Sequence, residues 1–222
     1  MGLLSIPTRN KKRVQDGNEN TRYFKRSNYS NPDAVRNLIR YITRTRENET
    51  RAQDLLTYGA VGAGCYLHPD EIIQQFLYVQ NAHGINRRGG CRMYHEVFNL
   101  HDSEAMELRY DPVQFWQVGM KCCQIYYRMG FQTAFAVHWE PNKHYHFHFA
   151  VNSISFIDGH KWRTSLSLKE LDQRERISQL EKLHLRNEIF NQILYEHQMM
   201  INGTHMPLYF TNVASSAQPV SG

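Results

Sequence analysis

Residues 138–152 read HWEPNKHYHFHFAVN, and this stretch decides both the fold and the site that we expect. Histidine alternates with aromatic residues in its second half, which is typical of a β-strand whose successive side chains point to opposite faces of a sheet. His144, His146 and His148 are therefore expected on one face. The residues expected on the other face, against a core, are Tyr145, Phe147 and Phe149. His138 ends the preceding strand, and a short turn can bring it beside the other histidines.

Imidazoles that converge on one face predict a metal site, because neutral histidine is a common ligand of divalent metals. Three such ligands leave coordination positions open, which suits catalysis better than a purely structural role. The spacing differs from that of a helical HExxH motif and from that of a C2H2 finger. The alternative is a solvent-exposed face that happens to be rich in histidine. Strict alternation with a fourth histidine close by favours the metal.

Predicted helices and strands alternate along the rest of the chain. We expect helices at residues 31–46, 68–84, 111–130 and 168–200, and strands at 3–8, 91–100, 131–139, 144–156 and 160–165. Residues 57–64 (TYGAVGAG) are expected to form a glycine-rich loop. Several links between strands are too short for a crossover, so we predict an α+β fold in which helices flank a central antiparallel sheet. The predicted division is a strand plus basic arm at 1–30, one folded domain at 31–200 and a polar tail at 201–222.

The positive charge of the chain is concentrated near its N-terminus. The 222 residues carry 26 lysines and arginines against 21 acidic residues, a formal charge of +5. The basic residues between positions 9 and 26 are Arg9, Lys11, Lys12, Arg13, Arg22, Lys25 and Arg26, and the acidic ones are Asp16 and Glu19. This segment therefore carries the whole net excess. Such an arm is either a solubilising tail or a contact to the phosphates of a nucleic acid.

Targeting signals and disulfide patterns are not apparent. No stretch approaches the length of an apolar membrane span, and no basic segment leads into an apolar one with a cleavage site. The four cysteines, Cys65, Cys91, Cys122 and Cys123, form no CxxC pair and are expected to be free thiols. We therefore expect a soluble protein of the cytoplasm.

The first predicted helix offers a nucleophile for phosphoryl chemistry. Its apolar stripe consists of Val35, Leu38, Ile39 and Ile42. Tyr41 lies well off this stripe, and the helix and its end also carry Arg36, Arg40, Arg44 and Arg46. A tyrosine kept out of the core among arginines fits a phosphate-facing hydroxyl. The alternative is an ordinary half-exposed tyrosine.

Together these motifs resemble the MobA/VirD2-type (MOBP) relaxases, conjugative DNA-nicking enzymes of the HUH endonuclease superfamily. The resemblance covers roughly residues 34–190. It rests on LIRYIT at 38–43, GCYLHPD at 64–70, RMYHEVF at 92–98, HWE at 138–140, HFHFAVNS at 146–153 and DGHKWR at 158–163. It implies a sheet with the histidine strands at its centre, helices on either side, and metal-dependent cleavage of one DNA strand at an origin of transfer.

The resemblance also implies roles for individual residues. The metal ligands map to His138, His146 and His148, and the nucleophile maps to Tyr41. The sequence departs from the family pattern in two ways: Glu140 stands where the family usually has aspartate, and the gap between His138 and the HxH pair is one residue longer. His144 therefore remains an alternative ligand to His138, or a group that supports the ligands or faces DNA.

The implied reaction is a transesterification that produces a 5′-phosphotyrosyl link and a free 3′-hydroxyl. A phenol is mostly protonated at neutral pH and needs a metal contact or a base, for which Glu140 and His144 are the candidates. The resemblance implies Mn²⁺ or Mg²⁺ as the cofactor, whereas imidazole ligation by itself favours the softer metals over Mg²⁺. Single-stranded DNA is expected to contact the arginine helix and the basic arm. The expected DNA-binding residues are Arg36, Arg40, Arg44, Arg46, Lys11, Lys12, Arg13, Lys25 and Arg26.

A relaxase of this kind is expected to act as a monomer in the bacterial cytoplasm, with relaxosome accessory proteins and a coupling protein as partners. One alternative is an HUH rolling-circle replication initiator or transposase, in which the tyrosine commonly follows the histidine strand and would here be Tyr195. The position of Tyr41 before the other motifs favours a relaxase. Two further alternatives are a non-catalytic accessory protein that binds single-stranded DNA, and a metal enzyme that acts on small molecules.

Overall fold

The computed structural model describes residues 3–5, 29–62, 68–84, 90–140, 144–162 and 173–203. Of residues 3–5 and 173–185 only the backbone is described. The strands are β1 (Leu3–Ser5), β2 (Leu55–Val61), β3 (Met93–Asn99), β4 (Thr133–His138) and β5 (His146–Asn152). The helices are α1 (Ala34–Ile42), α2 (Pro69–Ala82), α3 (Asp102–Glu107), α4 (Pro112–Arg128) and α5 (Gln173–Ile201), and a 3-10 turn spans Ala52–Asp54.

The strands form one antiparallel sheet in the order β1-β3-β5-β4-β2, so β5 lies at its centre. Pairing of β4 with β5 sets His138 opposite His146 and Ala136 opposite His148. On the other side of β5, Val97 of β3 lies opposite His148. The predicted α+β fold is confirmed, and the histidine strands do occupy the middle of the sheet.

The two faces of the sheet carry side chains of different size. Small residues line the face towards α1 and α2, namely Ala60, Ala134, Ala136 and Ala150. The apolar stripe of α1 packs on this face, and its residues Val35, Leu38, Ile39 and Ile42 are fully buried. Larger residues fill the opposite face beneath α4 and α5, including Phe135, Phe147, Phe149 and Val151. The alternation predicted for 146–149 therefore places His146 and His148 on the α1 side of the sheet, away from the aromatic core.

Local capping signals start two of the helices where the sequence predicts. The backbone N–H of His68 donates to Oε2 of Glu71 at 2.9 Å, and the ring of His68 accepts from the N–H of Asp70, which closes a capping box at the start of α2. Asp111 caps α4 by accepting from the N–H of Val113 at 2.9 Å, ahead of Pro112 at the first helical position.

The prediction of a glycine-rich loop at 57–64 is wrong, because residues 57–61 belong to β2 and pair with β4. Close packing explains the glycine in this strand. A Cβ on Gly59 would lie 2.8 Å from the ring of Phe135 and 3.0 Å from Nε1 of Trp116. Glycine is therefore needed for the approach of two large rings and not for a turn. Residues 63 and 64 lie outside the described residues.

Two smaller differences concern the remaining elements. The short helix α3 is absent from the predicted set. The strand predicted at 160–165 is represented by one isolated bridge between Ile154 and Lys161, and residues 163–165 lie outside the described residues. The helix predicted at 168–200 is described from Gln173 to Ile201, and residues 168–172 lie outside the described residues.

A buried ion pair joins α5 to the sheet. Glu96 of β3 is fully buried and accepts hydrogen bonds from Nη2 and Nε of Arg186 at 2.6 and 3.3 Å. The hydroxyl of Tyr126 donates to the same carboxylate at 2.6 Å. Burial, with the charge of Glu96, raises the pKa of Tyr126, so this phenol remains a donor at neutral pH. The guanidinium of Arg186 also lies 5.1 Å from the ring centre of Trp162.

We expect Arg186→Met to lower the free energy of unfolding by about 3–5 kcal/mol, because Glu96 is then left buried without its cation. Unfolding in urea, followed by circular dichroism, measures this loss. The matched control is Arg128→Met at the exposed end of α4, which should cost less than about 1 kcal/mol. Equal losses in the two variants would contradict a stabilising role for the pair.

Candidate metal centre and active site

Three histidines meet on the α1 side of the sheet. His138 comes from the last position of β4, and His146 and His148 come from β5. All three are buried, and each offers one ring nitrogen such that these atoms lie within 4.8 Å of one another. Among the described residues this is the group with the composition and spacing of a metal site. We refer to His138, His146 and His148 as the triad.

A hydrogen bond on one ring nitrogen orients each imidazole of the triad. Nε2 of His138 donates to the carbonyl of Ile42 at 2.6 Å, and Nδ1 of His146 donates to the carbonyl of His144 at 2.9 Å. Nδ1 of His148 lies 2.8 Å from Nε2 of His95, a buried histidine of β3. Fixing the proton on one nitrogen puts the lone pair that a metal requires on the other. At His138 this second nitrogen, Nδ1, also accepts a hydrogen bond from Nη2 of Arg44 at 3.1 Å.

The residues present fit a divalent metal. Nε2 of His148 is buried and has no hydrogen-bond partner in the described part of the chain. A buried ring nitrogen without a partner is costly, and a metal ion at this position would satisfy it. Nε2 of His146 lies 3.9 Å from Oε1 of Glu140, so a carboxylate also borders the triad. Three buried imidazoles could therefore coordinate a divalent metal and leave positions open to a substrate.

His138 and His148 of the triad are held in the neutral, metal-binding form. Burial lowers the pKa of His138 to about 3, and the charge of Arg44 acts in the same direction. Burial also lowers the pKa of His148 well below its ordinary value, and that of its neighbour His95 to about 3. Protonation at neutral pH therefore does not compete with a metal for these nitrogens.

These pKa shifts predict that the metal-free protein loses stability in mild acid. The pKa of His95 and of His138 is about 3 in the folded chain, against 6.5 for an unperturbed histidine. Below about pH 6.5 the unfolded chain binds protons that the folded chain does not. The free energy of unfolding therefore decreases as the pH is lowered, until the folded-state pKa is reached. Between pH 7.5 and 5 the loss should be about 2 kcal/mol for each histidine. Urea unfolding in EDTA at pH 7.5 and 5.0 measures it, and equal stability at both values would contradict the prediction.

His144 lies apart from the triad. β5 begins at His146, and the side chain of His144 is exposed, with Nδ1 2.9 Å from Oδ1 of Asp102. Its link to the triad is through its backbone carbonyl, which accepts the hydrogen bond from His146. The expectation that its side chain shares the face of His146 and His148 is therefore not met, because the regular strand has not yet started at this residue.

Tyr41, in the last turn of α1, packs against His148 of the triad. Its ring centre is 5.7 Å from that of His148 and 5.9 Å from that of His95, and both contacts are edge-to-face. The guanidinium of the exposed Arg46 lies 4.7 Å from the centre of the Tyr41 ring, and that of Arg44 lies 5.3 Å away. The half-buried tyrosine therefore contacts a histidine of the triad and two guanidinium groups, one exposed and one buried.

The arginines of the α1 region differ in their surroundings. Arg36 and Arg46 are exposed, whereas Arg40 is partly buried and binds Oδ1 of Asp70 at 2.9 Å. Arg44 is only 5% exposed and has a left-handed backbone conformation, with φ of 53°. Arg44 therefore does not lie on the surface as the prediction of a DNA contact requires.

Arg44 belongs instead to an ion-pair network beside the triad. Its Nη2 donates to Nδ1 of His138 at 3.1 Å and to Oε1 of Glu140 at 3.3 Å, and it lies 3.9 Å from Asp54. Arg51 donates to the other carboxylate oxygen of Glu140 at 3.2 Å. Glu140 thus links two arginines to the edge of the triad. A metal at Nδ1 of His138 would require Arg44 to release that hydrogen bond.

The DNA contacts predicted in the basic N-terminal arm fall outside the part of the chain that the structure describes. Lys11, Lys12, Arg13, Lys25 and Arg26 lie outside the described residues, as does most of the polar tail. Tyr195 is described and is 52% exposed on α5, a helix whose residues Phe190 and Leu194 pack in the aromatic core. That core lies on the face of the sheet opposite the triad.

Three residues near the triad are missing from the predicted site, namely His95, Arg51 and Asp54. His95 shares its side of β3 with Met93, which packs in the same cluster as α1. Period-two alternation in MYHEVFN could have placed these two residues on one face. Only the order of the strands, however, brings that face beside His148.

An antiparallel sheet with a buried histidine triad on its central strands is the arrangement that characterises HUH nucleases. The family model for relaxases, described as MobA/VirD2-like, nuclease domain, matches residues 41–185. Because this match covers well over half of the chain, the protein belongs to the MobA/VirD2-like relaxase family, which confirms the resemblance. The match begins at Tyr41 and includes the whole triad. A search of curated proteins yields no significant match.

Membership in this family defines the general activity. The chain carries a relaxase nuclease domain, and members of the family bind single-stranded DNA and use a divalent metal.

Within the described ranges, no helix has the length and apolar character needed to cross a bilayer.

Proposed function

We propose that this protein nicks one strand of DNA at an origin of transfer by attack of Tyr41 on a phosphodiester held at the triad, and so initiates mobilisation of a plasmid or integrative element. The observation that carries the proposal is the position of Tyr41, with its ring 5.7 Å from that of His148 and on the same side of the sheet as the triad. A nucleophile and a metal site on one face can act on the same phosphate.

The reaction is a transesterification with a balanced exchange of bonds. The hydroxyl oxygen of Tyr41 forms a bond to phosphorus, and the bond from phosphorus to the 3′-oxygen breaks. The phenol loses its proton and the 3′-oxygen gains one, so the products are a 5′-phosphotyrosyl link and a free 3′-hydroxyl. A divalent metal bound at the triad, which we propose to be Mn²⁺ or Mg²⁺, would neutralise charge that develops on the phosphate.

Glu140 is proposed to contribute to catalysis by fixing the site. Its two carboxylate oxygens accept hydrogen bonds from Arg44 and Arg51, and one of them borders Nε2 of His146. These contacts favour a role in holding Arg44 and the triad in place over a role as the base that deprotonates Tyr41. The exposed side chain of His144, bound to Asp102, lies outside this network.

Residues beyond the site are proposed to hold and organise the DNA. Residues 31–200 would form the nuclease domain, and the basic segment within 1–30 would contact phosphates on the strand that enters it. Relaxosome accessory proteins and a coupling protein are the proposed partners of a monomer acting in the bacterial cytoplasm.

Covalent capture on a library of random DNA sequences tests the proposal. The protein is incubated with Mn²⁺ and a random single-stranded DNA library labelled at the 3′ end, because a 5′-phosphotyrosyl link retains the 3′ fragment. We expect labelled protein that survives denaturation in SDS and depends on added metal, and sequencing of the captured DNA should converge on one nick site. DNA binding without any covalent product would favour a non-catalytic accessory protein.

Arg46 is expected to contact the DNA backbone near the nucleophile, because it is exposed and lies over the ring of Tyr41. Replacing it with alanine should weaken binding of single-stranded DNA and lower the slope of log affinity against log salt by about 0.7. Fluorescence anisotropy across a salt series measures both. The control is Arg128→Ala, an exposed arginine on the helix of the opposite face, whose salt slope should equal that of the wild type. An unchanged slope in Arg46→Ala would exclude this contact.

The position of Tyr195 in the fold disfavours a replication initiator or transposase that uses this residue as its nucleophile. The helix that carries Tyr195 packs on the aromatic face of the sheet, which the strands separate from the triad. Attack from Tyr195 would therefore require a different arrangement of α5.

A further inference from the structure

The hydrogen-bond partners of the three triad histidines differ in kind: two are backbone carbonyls, and the third is the ring of another histidine. His138 and His146 each donate to a backbone carbonyl, which is an acceptor in every protonation state. The corresponding nitrogen of His148, Nδ1, faces Nε2 of His95 at 2.8 Å. His95 thus occupies the position at His148 that a carbonyl occupies at the other two histidines.

We propose that His95 is a positioning residue for the metal site, which accepts a hydrogen bond from Nδ1 of His148 and so fixes the tautomer that presents Nε2 to the metal. This inference rests on the proposed function of the triad. Because His148 Nε2 must be unprotonated to bind a metal, its one ring proton has to lie on Nδ1. The acceptor for that proton at hydrogen-bond distance is Nε2 of His95, so His95 carries its own proton on Nδ1.

The surroundings of His95 fit this role. It is buried at 5% exposure in β3, the strand that pairs with β5, so its backbone is fixed relative to that of His148. The rings of His95 and His148 lie 4.9 Å apart, and the edge of Tyr41 packs on both. Tyr29 adds an edge contact on His95, with ring centres 6.3 Å apart. One side chain therefore orients a metal ligand and borders the nucleophile.

Mn²⁺ affinity, measured by isothermal titration calorimetry, tests the role of His95 independently of DNA cleavage. His95→Leu should weaken binding by about 10–100-fold, the usual effect of losing a hydrogen-bond partner of a metal ligand. His95→Gln should restore affinity to within about threefold of wild type, because the amide oxygen can accept from Nδ1 of His148. The matched control is His197→Leu, which removes a buried histidine on the opposite face and should leave Mn²⁺ affinity unchanged.

A second measurement uses the wild-type protein and so does not depend on the folding of a variant. Long-range ¹H–¹⁵N correlation spectra of the Zn²⁺-loaded protein should show His148 protonated at Nδ1 and not at Nε2. Folded His95→Leu with wild-type Mn²⁺ affinity, or His148 protonated at Nε2, would overturn the proposal. If wild-type protein binds neither metal, the metal site itself fails, and with it both proposals. If metal binds as expected but no DNA adduct forms, only the proposed function fails.

Discussion

Tyr41→Phe is expected to abolish the covalent DNA adduct, lowering its rate of formation by about a thousandfold or more, because the reaction loses the oxygen that bonds to phosphorus. The substitution removes a single atom. The phenyl ring can keep its edge contacts with His95 and His148, so folding should be unaffected. Affinity for Mn²⁺ and for single-stranded DNA should stay close to that of the wild type. Gel analysis of labelled protein after SDS treatment measures the adduct.

Tyr195→Phe is the matched control for this loss. Tyr195 is exposed on α5, on the far side of the sheet from the triad, so this variant should form adduct at the wild-type rate. The reverse result, with adduct retained in Tyr41→Phe and lost in Tyr195→Phe, would assign the protein to the mechanism of replication initiators instead.

His148→Ala is expected to lower Mn²⁺ affinity by about a hundredfold or more, because losing one of three ligands should cost more than the roughly 10–100-fold expected from losing a group that only orients a ligand. The nicking activity should fall with it. Calorimetric titration of the folded variant with Mn²⁺ measures the affinity.

His144→Ala provides the comparison that decides the ligand set. The side chain of His144 is exposed, and its carbonyl, which orients His146, is retained in this variant. We therefore expect wild-type Mn²⁺ affinity in His144→Ala and a loss in His138→Ala comparable to that of His148→Ala. Loss of affinity in His144→Ala, with none in His138→Ala, would mean that His144 replaces His138 as a ligand.

The features of this fold that a sequence can predict are those with a local period. Alternation over 146–149 predicts β5 and its two faces, and the apolar stripe of α1 predicts which side of that helix is buried. The same reasoning fails at the ends of elements. His144 continues the alternation in the sequence, yet the strand begins two residues later and leaves its side chain in solvent.

Contacts between elements that are distant in the sequence cannot be predicted from local sequence patterns. The approach of His95 to His148 depends on β3 being the neighbour of β5, and strand order is a property of the whole sheet. Arg44 looks like one more surface arginine in an arginine-rich helix. It is nevertheless buried beside ion-pair partners at positions 54 and 140, which no periodic pattern reveals. Gly59 is likewise explained by two distant rings.

Mass spectrometry of the captured adduct identifies the tyrosine that attacks DNA, and so tests whether Tyr41 and the triad form one nicking site. The covalent product is digested with nuclease and trypsin, and the peptide that carries the residual phosphonucleotide is sequenced. We predict that the modification lies on Tyr41 and that it disappears when metal is withheld or when His148 is replaced. A phosphonucleotide on any other tyrosine, or on Tyr41 without a requirement for metal, would show that Tyr41 and the triad do not form one nicking site.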